Sequence, residues 1–94
     1  MATDAMTPEQ EINRADEARF LMENPLLRGA LDDIEAATIQ KWEMADNKDV
    51  RDDYWRLYKV AKLFRQIMET YIATGKMARM TLIDAERQPK RRSA

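Results

Sequence analysis

The sequence predicts an all-α protein: an antiparallel helical hairpin with one long C-terminal helix and an N-terminal helical arm. Three observations carry this. Apolar and small residues recur in steps of four and three from Val50 to Ala85: Val50, Tyr54, Leu57, Ala61, Phe64, Met68, Tyr71, Gly75, Ala78, Leu82, Ala85. That average spacing of about 3.5 marks one stripe on a helix that packs along another helix, as in coiled coils. Glycine and proline together number only five in 94 residues, too few for the turns of a β-sandwich or barrel. The prolines and one polar triplet also divide the chain into three periodic runs with a short leader and a tail.

A single domain of residues 1–94 is expected, with residues 1–6 frayed. Thr7-Pro8-Glu9-Gln10 reads as a helix start. Thr7 caps, Pro8 occupies the first helical position where no amide hydrogen is missed, and Gln10 completes a capping box. Helix one is placed at 8–23, with a thin apolar stripe before Phe20. Asn24-Pro25 breaks it, because the residue before proline is driven out of the α region and Asn is a good N-cap. Helix two is placed at 25–45, with Leu27, Leu31, Ile34, Thr38, Trp42 and Ala45 on its stripe. Asp46-Asn47-Lys48 is the turn. Asn47 is read as a left-handed C-cap of helix two and Asp49 as the cap of helix three. So short a turn makes helices two and three antiparallel neighbours, with Leu27, Leu31, Ile34 and Trp42 facing the long helix.

Helix three is placed at 50–87. The 36 residues from Val50 to Ala85 would span about 54 Å. Gly75 interrupts the stripe; the unbroken register across it predicts one helix, bent if at all, rather than two. The distal third, from about Tyr71, outruns helix two. Either helix one folds along it or a second subunit covers it, since Tyr71, Ile72, Met77, Met80, Leu82 and Ile83 are too apolar to stand in water together. Residues 88–94 form a basic tail after Pro89.

Composition narrows the chemistry. Cysteine and histidine are absent and the one serine is Ser93, which removes disulfides, thiolate chemistry, Ser–His nucleophiles and the commonest zinc ligands. No catalytic residue, metal site or cofactor is assigned. No apolar run approaches the roughly 20 residues of a membrane span. Net charge is −1, but residues 1–47 hold four basic and eleven acidic residues, whereas 48–94 hold twelve basic and six acidic. The simplest account is an acidic helix folded on a basic one.

Three groups of side chains are candidate contact sites. Phe64, Met68, Tyr71, Ala78 and Leu82 are the residues expected to mediate self-association. Trp55 and Tyr58, lying beside Trp42 and Tyr54 near the turn, are candidates for partner binding. Lys59, Lys62 and Lys76, with Lys90, Arg91 and Arg92 of the tail, are candidates for nucleic acid or an acidic partner. Arg56, Lys59, Lys62 and Arg65 are spaced by three and so spiral around the helix instead of forming a flat basic face. Asp32, Asp33 and Glu35 would matter if the acidic half mimicked DNA.

Glu23-Asn24-Pro25-Leu26-Leu27-Arg28-Gly29-Ala30-Leu31-Asp32-Asp33-Ile34-Glu35 is followed by Trp42, by Arg51 to Leu57, and by Gly75-Lys76-Met77-Ala78. Over residues 20–83 this pattern resembles small α-helical proteins encoded among the head-assembly and packaging genes of tailed phages and prophages. The acidic N-terminal region and the basic tail depart from it. The resemblance implies a non-enzymatic virion assembly role, with copies of itself and other virion proteins as partners, in host cytoplasm or virion. It brings no catalytic residues. The alternatives are a nucleic-acid-binding accessory protein and a small acidic DNA mimic.

Overall fold

The computed structural model describes residues 5–87. They form three α-helices and no strand: α1 (Pro8–Met22), α2 (Pro25–Met44) and α3 (Lys48–Arg87). The all-α reading is therefore correct, and the boundaries differ from expectation by one or two residues. The tail, with Lys90, Arg91 and Arg92, lies outside the described residues, as do the first four of the residues expected to fray.

Local chemistry sets the starts of all three helices. The Thr7 hydroxyl accepts from the Gln10 amide at 3.1 Å, and the Gln10 side chain accepts from the Thr7 amide at 2.9 Å. This is the capping box read from the sequence. Asn24 Oδ1 accepts from the amides of Leu26 (2.9 Å) and Leu27 (3.1 Å), and Pro25 opens α2. At the second turn the expectation fails. Asn47 does not end α2 in a left-handed conformation, because no non-glycine residue among those described has positive φ. It caps α3 instead: its Oδ1 accepts from Val50 N at 3.0 Å, and its carbonyl accepts from Arg51 N at 3.0 Å. Asp49 is thereby inside the first turn of α3, where its charge still complements the helix dipole.

α3 runs unbroken through Gly75 for 40 residues, about 60 Å. It is the spine on which the other two helices lie. α2 returns along its first half, and α1 lies along its second half, while α1 and α2 touch each other little. Helix one is thus the element that packs on the distal part of α3, although Met77, Met80 and Ile83 stay exposed there. Ala15 and Ala18 are buried there with Gly75 and Ala78. A Cβ at Gly75 would collide with the Ala15 side chain and stand 2.8 Å from the Glu11 carbonyl oxygen. Absence of that atom is what lets the two backbones approach so closely. Gly29, by contrast, has nothing within 4 Å of an added Cβ.

The core is thin. Its apolar members are Ala15, Ala18, Leu31, Ala61, Met68 and Ala78, with Thr38 buried beside them and donating its hydroxyl to the Ile34 carbonyl at 3.0 Å. Among the described residues no large side chain is fully enclosed. The radius of gyration is 20.0 Å and the extents are 74 × 30 × 17 Å; a compact domain of this length would have a radius near 12 Å.

Candidate association face

The hairpin of α2 and the first half of α3 has two unlike flanks. Ala61 and Met68 mark the middle of the buried stripe on α3, and Leu31 and Thr38 mark it on α2. Residues turn by about 100° per step. Arg65 and Lys62 therefore lie to one side of the stripe on α3, and Glu35 and Asp32 lie to that same side on α2. These four close that flank. Arg65 Nε donates to Glu35 Oε2 at 2.6 Å and its Nη2 donates to Asp32 Oδ1 at 2.7 Å. Lys62 Nζ stands 3.7 Å from Glu35 Oε1. The hydrogen bond to Glu35 raises the Arg65 guanidinium above its ordinary range. Burial opposes this, and Asp32 reinforces it. Such charge-assisted, two-pronged contacts also fix the register of α2 on α3.

The other flank carries no such seal. About 30° to 110° away from the stripe on the opposite side stand Leu57, Phe64, Val60 and Ile67, with Leu63 beyond them. All five are exposed, Val60 by 61% and Leu57 by 52%. Ile34 occupies the matching side of α2 and is 48% exposed, so it does not face α3 as expected. Together these side chains make a continuous apolar surface of the kind monomeric proteins avoid.

No protein-family model, curated protein or solved structure matches this chain.

At the closed end of the hairpin the aromatic residues pack on one another. Trp55 stacks on Tyr58 with centroids 5.4 Å apart, and Trp42 tilts against Trp55 at 6.4 Å. Cations cover these rings: Arg51 over Trp42 at 4.6 Å, Lys59 over Trp55 at 5.8 Å and Lys62 over Tyr58 at 5.4 Å. Trp55 remains partly open to solvent and Tyr58 is half-buried. The cluster stiffens the turn by aromatic and cation–π contacts.

The residues singled out for self-association fall in different places. Phe64 is exposed on the open flank. Met68 and Ala78 are buried inside the chain's own core, so they offer no surface to a second molecule. Tyr71 and Leu82 are half-buried on the part of α3 that α1 covers, with the Arg14 guanidinium 4.0 Å above the Tyr71 ring. The stripe chosen from the sequence is the intramolecular seam. Val60, Leu63, Ile67 and Ile34 were passed over. The signal for Val60 and Ile67 is a second register on α3, Leu57-Val60-Phe64-Ile67, again stepping by three and four.

Of the basic candidates, Lys62 is engaged by Glu35, and Lys59 and Lys76 are exposed. Of the acids, Asp32 and Glu35 bind Arg65, whereas Asp33 faces solvent. Among the described residues no group of three acidic side chains is placed to hold a metal ion, and no helix is long and apolar enough to cross a membrane.

Proposed function

We propose that this chain is a non-enzymatic assembly protein that works through helix-on-helix association, with the phage head or packaging vertex as its setting. One observation carries the association role. The hairpin leaves Leu57, Val60, Leu63, Phe64 and Ile67 exposed along one flank, while its own core is too thin to make up for that exposure. The setting comes from the resemblance over residues 20–83.

Static light scattering at moderate salt tests the association role. One defined oligomer, or a stable complex with a virion protein, is expected. A monodisperse monomer at about 1 mM that also binds no head or portal component overturns it. The setting is tested on particles: the protein is expected in heads or their precursors, and its absence from both refutes the phage assignment.

Nucleic-acid binding through Lys59, Lys62 and Lys76 is the second reading. It is favoured by cations lying over a stacked aromatic pair, a combination suited to single strands. Against it, Arg65 and Lys62 are already engaged by Glu35 and Asp32. DNA retardation that weakens steeply with salt would favour it over association.

A further inference from the structure

The open flank has the form of half a four-helix bundle, and we infer that its occupant is a second copy of this chain. In the resulting two-fold dimer, α3 of each copy lies across α2 of the other. The inference rests on the association role proposed above and names the partner.

Side-chain sizes are the first argument. On α3 the open flank presents the large residues Leu57, Val60, Phe64 and Ile67. On α2 the same flank presents Ile34 with the small residues Ala30 and Ala37, all exposed. Large side chains of one helix therefore meet small ones of the other, which is how helices interdigitate at close spacing. An α3-on-α3 pairing would set large against large. The second register on α3, stepping by three and four, is that of a knobs-into-holes seam.

Charge is the second argument. About 70° round on the open side of the stripe, α3 carries Asp53 and α2 carries Lys41, whereas Lys62 and Arg65 are engaged on the sealed flank. Placing α3 on α2 of the other copy brings these opposite charges to the same edge of the bundle. A net charge of −1 leaves little overall repulsion between copies.

Geometry is the third. The flank closed by Arg65, Glu35, Asp32 and Lys62 leaves only one side of the hairpin for a neighbour. α1 packs on α3 around Gly75 and Ala78, further along the helix than the apolar positions 57–67. A two-fold axis parallel to the helices, the one that sets α3 on α2, makes the interface isologous, so that each apolar patch covers its own equivalent and assembly stops at two.

Cysteine chemistry is clean in a chain that has none. Ile34→Cys and Phe64→Cys are made separately, mixed, and linked with a short bismaleimide. The expected result is a heterogeneous cross-link in the mixture, little in either variant alone, and a wild-type mass of twice 11.0 kDa. Leu57→Glu with Ile67→Glu is expected to weaken the dimer by at least about a hundredfold, with helicity retained. Efficient linking of Phe64→Cys to itself, with none in the mixture, overturns the α3-on-α2 arrangement. An oligomer indifferent to the glutamates overturns this face while leaving the association role intact. A monomer that instead binds a virion protein through Leu57 and Ile67 overturns the second copy as occupant, again leaving that role standing.

Discussion

The two halves of α3 are covered by opposite strategies. The distal half is met by α1 through small residues, Ala15 and Ala18 with Gly75 and Ala78, so backbone approaches backbone and little side-chain volume is needed. The proximal half is met by α2 through larger residues, locked on one flank by Arg65 and left apolar on the other. Close contact between small residues is sensitive to a single atom. A seam of larger side chains has no such single-atom limit, and both halves leave apolar side chains open, Val60 and Ile67 on one and Met77, Met80 and Ile83 on the other.

Substitution at the two glycines and along α3 turns this contrast into measurements. The largest effect is expected from Gly75→Leu, whose side chain has no room beside Ala15 and Glu11. It should separate α1 from α3 and cost about 3 kcal/mol or more, read by urea denaturation and by new protease cleavage within α1. Met68→Ala, near the midpoint of α3 and buried, should cost about 2–3 kcal/mol in the same denaturation experiment. Arg65→Ala should cost about 1–2 kcal/mol, because it leaves Glu35, whose side chain is only 17% exposed, with Lys62 at 3.7 Å as its remaining cation.

The pH dependence of that last difference has a definite sign. The folded-state pKa of Arg65 is raised, so its contribution is complete below the unfolded value and is lost only as pH climbs through the folded one. The gap between wild type and Arg65→Ala attributable to that titration should therefore be flat between about pH 6 and 9. The smallest effect is a gain. Gly29→Ala, in open space, should stabilise by up to about 1 kcal/mol, whereas Gly75→Ala should destabilise in spite of the same propensity gain. Equal signs at the two glycines in thermal melts would dissolve the distinction between the halves.

Much of this fold was legible because its signals are local. The Thr7–Gln10 capping box and the Asn24-Pro25 break depend on neighbours three residues apart, and the stripe through Ala61, Met68, Gly75 and Ala78 depends on helical period alone. Asn47 was misread because capping the start of one helix and ending another call for the same residue type, and a three-residue turn offers both positions. Attachment of α1 was harder to read. Ala15, Ala18 and Gly75 contribute through what they lack, and hydropathy gives no weight to a missing side chain. The open flank is hidden for a different reason: the seam through Ala61 and Met68 already accounts for one heptad register on α3, and the second, through Val60 and Ile67, overlaps it. The ion pairs joining Arg65 to Glu35 and Asp32 link residues 30 and 33 positions apart, a pairing that no local pattern specifies.

Since α1 and α2 each rest on α3 and scarcely on one another, neither helps to hold the other in place. Loosening α1 would leave the Arg65 clamp intact, and opening the hairpin would leave Ala15 seated on Gly75. Amide exchange should accordingly report two zones with separate protection, with the middle of the longest helix the slowest to yield.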